Sequence, residues 1–148
     1  MSVASEIERF TDELPANGRL VAVSKFHPVE KLMEAYSAGQ RIFGESRVQE
    51  LVQKAQEMPA DVQWHFIGHL QTNKVRALLP HVSLIHSVDS ERLLDCIDKE
   101  AERIGRTVDV LLQIHVAQEE AKFGFTLDEI TQLANSGKLT AMSHVRVV

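Results

Sequence analysis

Leu20-Val21-Ala22-Val23-Ser24-Lys25 is a short apolar run that ends on a serine and a lysine. A run this short, mostly without polar alternation, fits a strand covered on both faces, as in a parallel sheet. Pro28 then stands where a first helical turn accepts proline. Val29, Leu32, Met33 and Tyr36 follow at helical spacing, and Gly39 can end the helix in the left-handed conformation. Arg41-Ile42-Phe43 opens the next strand. This strand-helix-strand unit decides the fold, because it recurs.

Upstream, Val3, Ile7, Phe10 and Leu14 mark one face of a helix that Pro15-Ala16-Asn17-Gly18 breaks. Downstream, a helix is expected from about Ser46, with Val48, Leu51, Val52 and Ala55 inward. A strand over 62–67 follows, then a helix over 73–79 stopped by Pro80, then a strand over 82–86. The helix over 89–104 turns Leu93, Leu94, Ile97, Ala101 and Ile104 inward, and Gly105 closes it. Residues 108–116 read as the longest strand. Leu127, Ile130 and Leu133 mark a helix opened by the capping pair Thr126 and Glu129, and residues 141–148 read as the start of a sixth strand.

Strict alternation predicts parallel strands joined by right-handed crossovers. Two architectures satisfy it, an open doubly wound sheet and a (β/α)8 barrel. No strand is followed by Gly-x-Gly-x-x-Gly, which weighs against the nucleotide-binding open sheet. A complete barrel takes about 250 residues. The 148 residues supply five units and part of a sixth. The expected fold is therefore α/β, an incomplete (β/α)8 TIM barrel, with residues 1–148 as one domain lacking the last βα units.

Composition bounds the function. At 44% apolar and 25% charged, the chain can bury a core. No apolar run approaches a membrane span, and Met1-Ser2-Val3-Ala4-Ser5-Glu6 does not read as a signal peptide. A net charge of −5 weighs against binding a nucleic-acid backbone. The lone Cys96 excludes an internal disulfide and any cysteine cluster for zinc; it reads as an inert small side chain beside Ile97. The expectation is a soluble, cytoplasmic domain with no nucleic acid, membrane or metal partner.

In such folds function gathers at the C-terminal ends of the strands. Those ends hold Ser24, Lys25 and His27; Gly44, Glu45 and Ser46; Gly68, His69 and Gln71; Ser87 and Asp89; Gln113 and His115; and residues 119–122. Lys25 has two readings. It is an exposed lysine starting a loop, or an amine at a barrel mouth, stripped of water and able to form a Schiff base. Ser46 with Gln49 has the spacing of a helix capping box. His65 and His69 lie across a strand end without a third ligand, a poor zinc pattern, and His65 reads as a barrel-interior side chain. Asp89 reads as a helix cap, Lys122 as a solvated loop charge, and Tyr36 as helix packing remote from the strand ends.

Five of these segments, in order, resemble one family. They are Val21-Ala22-Val23-Ser24-Lys25, Phe43-Gly44-Glu45-Ser46-Arg47-Val48-Gln49-Glu50, Trp64-His65-Phe66-Ile67-Gly68-His69-Leu70-Gln71-Thr72-Asn73-Lys74, His86-Ser87-Val88-Asp89-Ser90 and Glu119-Glu120-Ala121-Lys122-Phe123-Gly124. The sequence resembles the YggS/PROSC family of pyridoxal-phosphate homeostasis proteins, single-domain relatives of the alanine racemase barrel, PLP fold type III. The resemblance implies pyridoxal 5'-phosphate held as a Schiff base on Lys25. It makes Ser46, Ile67, Gly68 and His69 expected cofactor contacts. Two positions depart from the family pattern: Ser46 stands for its usual asparagine, and His115 stands where strand five usually carries one. The family's Ser-Met-Gly-Met-Ser-type and Arg-Ile-Gly-type segments, which grip the phosphate, do not occur in this sequence. Each charge-assisted hydrogen bond lost costs about 1.5–3 kcal/mol, so weak or absent cofactor binding is expected of the isolated chain.

The resemblance implies a carrier of intracellular pyridoxal phosphate with no turnover and no catalytic residue. The alternatives are an amino-acid racemase-like or other Schiff-base enzyme, with His69 or Glu45 as its acid/base, or a non-functional truncated fragment. A two-base racemase needs a second proton-transfer group, and the only tyrosine is Tyr36. An unfinished barrel also leaves strand edges near residues 20–24 and 141–148, which are expected to promote self-association.

Overall fold

The computed structural model describes residues 2–116 and 124–148. Helix α1 (Val3–Glu13) precedes β1 (Ala22–Val23), and strands and helices then alternate. They are α2 (Val29–Ser37), β2 (Ile42–Glu45), α3 (Val48–Glu57), β3 (Gln63–Phe66) and α4 (Val75–Leu78), the last entered through a 3-10 turn at Thr72–Lys74. After them come β4 (Val82–Val88), α5 (Glu91–Arg103), β5 (Val108–Leu112), α6 (Leu127–Asn135), α7 (Lys138–Ala141) and β6 (Val145–Val147). The six strands form one sheet in the order β1-β2-β3-β4-β5-β6, and every pairing is parallel. A doubly wound sheet reverses its strand order at a switch point. This sheet never reverses, which is the order of a barrel wall. Among the described residues β1 and β6 are its edges.

The register assigns two faces. Phe66, Ile85 and Val110 are aligned on the helix side, where they are buried with Leu51, Leu78, Leu94 and Ile97. Each such side chain contributes about 1.5–3 kcal/mol through loss of apolar surface from water. Phe43 and Trp64 pack on the same side, their rings tilted 40° to each other with centroids 5.8 Å apart. The other face aligns Gly44, His65, Leu84, Asp109 and Arg146, the inner wall of the barrel. Arg146 grips Asp109 there in a bidentate pair at 2.8 and 2.9 Å. This inner face is only half covered. Val23 and Val148 are 54% and 58% exposed.

Several local expectations need correction. The longest strand is β4, not the segment from Val108. Beyond β5 the chain leaves the sheet, because Ile114 bridges to Phe125 instead and Gly124 lies against the His115 backbone. The helix after β2 starts at Val48 with Arg47 at its cap and no side-chain capping bond, so Ser46 and Gln49 form no capping box. Ser90, not Asp89, caps α5, its hydroxyl accepting from the Leu93 N–H at 3.1 Å. The sixth strand forms but is shorter than expected: Gly137 at φ 77° restarts the chain as α7, which takes in Ala141, and β6 begins only at Val145. Phe10, expected inward on α1, is 44% exposed. The Thr126–Glu129 box forms as expected, with reciprocal bonds of 3.1 and 3.0 Å.

Candidate functional site

The strand ends converge through backbone bonds. The Ser24 N–H donates to the Gly44 carbonyl at 2.9 Å, and the Ile67 N–H donates to the Glu45 carbonyl at 2.9 Å. Ile67 also packs over Gly44 on the inner face: a Cβ at Gly44 would sit 3.2 Å from Ile67 Cδ1. Gly68 lies directly on the backbone of Ser46, so close that a Cβ would overlap the Ser46 carbonyl oxygen and come within 2.8 Å of its Cα. Only glycine permits that approach. The structure thus brings Ser46, Ile67 and Gly68 together at the ends of β2 and β3, one and two strands over from Lys25. His69 follows, its Nδ1 3.3 Å from Asp89 Oδ2. Asp89 thus faces that imidazole, and the next residue, Ser90, caps α5.

Lys25 occupies a tight turn, in which the His27 N–H donates to the Ser24 carbonyl at 3.1 Å. The third residue, Phe26, has φ 66°, the arrangement of a type II turn, where glycine is usual. Lys25 is exposed, as in the first of its two readings, a lysine that starts a loop. Residues 117–123, with the Glu119–Lys122 part of the motif and Phe123, lie outside the described residues.

Behind this turn, on the helix side of the sheet, lies a buried charged group. Lys54 on α3 directs its Nζ to three acceptors: the Ser24 carbonyl at 2.8 Å, Glu45 Oε2 at 2.9 Å and Glu50 Oε2 at 2.9 Å. An ammonium has three protons, and all three are used. The Ser24 hydroxyl donates to Glu45 Oε2, and the Phe26 N–H donates to Glu50 Oε2 at 2.8 Å. Glu45 is fully buried, and its Oε1 has no hydrogen-bond partner among the described residues. Burial raises the Glu45 pKa against the pull of Ser24 and Lys54. One ammonium cannot neutralise two carboxylates, so the deeper one resists ionisation. Burial works the same way on Glu50, but Lys54 and the Phe26 N–H outweigh it and lower that pKa.

Sequence reading named Ser24 and Glu45 as strand-end residues and missed Lys54 and Glu50. A signal was present: Lys54 stands three residues after Leu51 and four before Met58, on the buried stripe of α3.

On the inner face His65 and His86 share a hydrogen bond, Nδ1 to Nε2, at 2.9 Å. Burial, then the neighbouring His86 and Arg19, bring the His65 pKa down to about 4; burial lowers that of His86 as well. His65 is thus the interior side chain its strand position predicted. Tyr36 lies at the other end of the strands. Its hydroxyl donates to Asp61 at 2.6 Å, and the Arg41 guanidinium sits 3.8 Å above its ring.

Residues 2–148 match the alanine racemase N-terminal domain family. The pyridoxal phosphate homeostasis protein of Schizosaccharomyces pombe is 46% identical over 123 residues, covering 80% of this chain and 52% of that protein. The human protein of the same name is 39% identical over 137 residues, covering 86% of this chain and 50% of its own length. The chain spans about half the length of such curated relatives. PipY of Synechococcus elongatus, solved with PLP bound, superposes with a TM-score of 0.90 at 36% identity, covering 99% of this chain and 68% of PipY. The Enterococcus faecalis alanine racemase shares the fold at a TM-score of 0.77 and 16% identity, so the sheet described above is part of a barrel of that type.

Proposed function

The chain belongs to the alanine racemase N-terminal domain family, and from that premise we propose that it binds pyridoxal 5'-phosphate through Lys25 and serves PLP homeostasis rather than turnover. The observation that carries the reading is the convergence of Ser46, Ile67 and Gly68 beside the Lys25 turn, in a chain similar to a protein solved with PLP bound. The described residues fit the group. Lys25 supplies an exposed primary amine, Ile67 an apolar surface on the inner face, and Ser46 and His69 polar atoms at adjacent strand ends. When bound, the cofactor supplies an aldehyde carbon with which a lysine amine condenses, releasing water.

Two observations favour a carrier over an enzyme. Tyr36, the chain's only tyrosine, is engaged with Asp61 away from the strand ends. Glu45, one of two candidate acid/base groups, is fully buried on the helix side in contact with Lys54 and Ser24. A cytoplasmic setting belongs to the same proposal, supported by the single cysteine and mild acidity; among the described residues no helix is long and apolar enough to cross a membrane.

The test is a titration of the 148-residue chain with PLP to millimolar concentration, recording near-visible absorbance. A band that vanishes in Lys25→Ala is expected, with a Kd weaker than micromolar. A band that survives in Lys25→Ala would overturn the assignment, and micromolar or tighter binding would overturn the weak-affinity expectation.

A further inference from the structure

The turn that carries Lys25 adopts a backbone its own sequence disfavours. Phe26 holds φ 66°, a conformation that bulky L-residues avoid unless their surroundings impose it. Nothing within residues 24–27 supplies the compensation beyond one turn hydrogen bond. The ring of Phe26 does not supply it by burial, since Phe26 is 68% exposed.

The compensation comes from α3 and β2. On one side of Lys25, Ser24 is fixed at three atoms. Its N–H donates to the Gly44 carbonyl, its hydroxyl donates to Glu45, and its carbonyl accepts from Lys54. On the other side, the Phe26 N–H donates to Glu50. Lys54 joins the two clamps by bonding Glu45 and Glu50 together. From this geometry we infer that Glu45, Glu50 and Lys54 are positioning residues for Lys25: they hold the residues on either side of it, so that its amine is presented in one place to an aldehyde. The inference rests on the reading of Lys25 as the reactive amine and deepens it.

Glu50 is the residue to change, because it is only partly buried and touches the turn through a single amide. Glu50→Ala removes the Phe26 clamp. Glu50→Gln keeps an oxygen that can accept from that amide. Each chain is incubated with PLP and sodium cyanoborohydride. The lysine nitrogen bonds to the aldehyde carbon, water leaves, and hydride from the reagent fixes the product. Peptide mapping then compares labelling of Lys25 with that of the exposed Lys74 and Lys99 in the same sample. Amide hydrogen exchange at Phe26 is followed without any cofactor.

In the parent chain Lys25 is labelled ahead of the two reference lysines. In Glu50→Ala that preference falls by about tenfold, the scale of modest misplacement of a reacting group, while Phe26 exchange rises and amides of β4 are unchanged. Glu50→Gln restores most of both. If Phe26 exchange rises in Glu50→Ala but the Lys25 preference is unchanged, the positioning role is wrong. It is equally wrong if neither quantity moves. If Lys25 shows no preference in the parent chain, the assignment of Lys25 itself fails, a result separable from the other two.

Discussion

At the scale of single residues the site depends on what glycine omits. A methyl group at Gly68 has no room, because the Ser46 backbone occupies its place. Gly68→Ala must push the β2 and β3 ends apart, at a cost of about 1–3 kcal/mol as for other overpacked positions. Urea unfolding of the variant checks this, and an unchanged midpoint would contradict the packing described. Lys25 shows the other side of residue-scale reading. Its place at a strand end was legible, because the apolar run before it stops so sharply. Its exposure was one of the two readings its position allowed, but the strained neighbour Phe26 was not legible, since its conformation is held by a bond to Glu50, more than twenty residues away. Ser46 was misread for a similar reason. Its spacing to Gln49 suits a cap, but contact with Gly68 keeps it at the strand end.

Between elements, the His65–His86 pair links β3 to β4 and makes the sheet sensitive to acid. The imidazole pKa of His65 drops from 6.5 to about 4 on folding. Below pH 6.5 the unfolded chain therefore takes up a proton that the folded chain declines, and stability falls as pH falls, levelling off near pH 4. The loss is on the order of 3 kcal/mol. Glu45 acts in the opposite sense, since a raised carboxyl pKa contributes most at low pH. The His65 contribution is isolated by comparing urea midpoints at pH 7.5 and pH 4.5 in the parent and in His65→Gln; a smaller acid-induced drop is expected in the variant, and equal drops would rule the pair out as the cause. Element identity was the most legible level. Parallel strands buried on both sides read as apolar runs, and helices between them as 3.6-residue stripes. Element ends were less so. The segment after β5 has strand composition, yet Phe125 captures Ile114, a pairing no local pattern announces.

For the whole molecule, the exposed edges of β1 and β6 set solution behaviour. Both are short, and their outward backbone groups have no strand partner among the described residues. Unpaired edges recruit other chains. The 148-residue chain is therefore expected to self-associate, with a scattering mass that rises with concentration; a constant monomer mass would refute this. The barrel type was legible from alternation and the missing dinucleotide fingerprint together, since neither alone separates the two α/β architectures. The buried Lys54–Glu45 pair was not, because burial of a charge is decided by partners that only the assembled sheet supplies. The sequential strand order has one further consequence. Ala22 pairs with Phe43, Ile42 with Gln63, Trp64 with Val82 and Leu84 with Asp109, so each strand meets a partner one unit along the chain. Contact order stays low for a parallel sheet, and loop closure costs little at each step. The wall can lengthen one unit at a time, each new strand docking on the one made just before it, in the direction in which a ribosome delivers the chain.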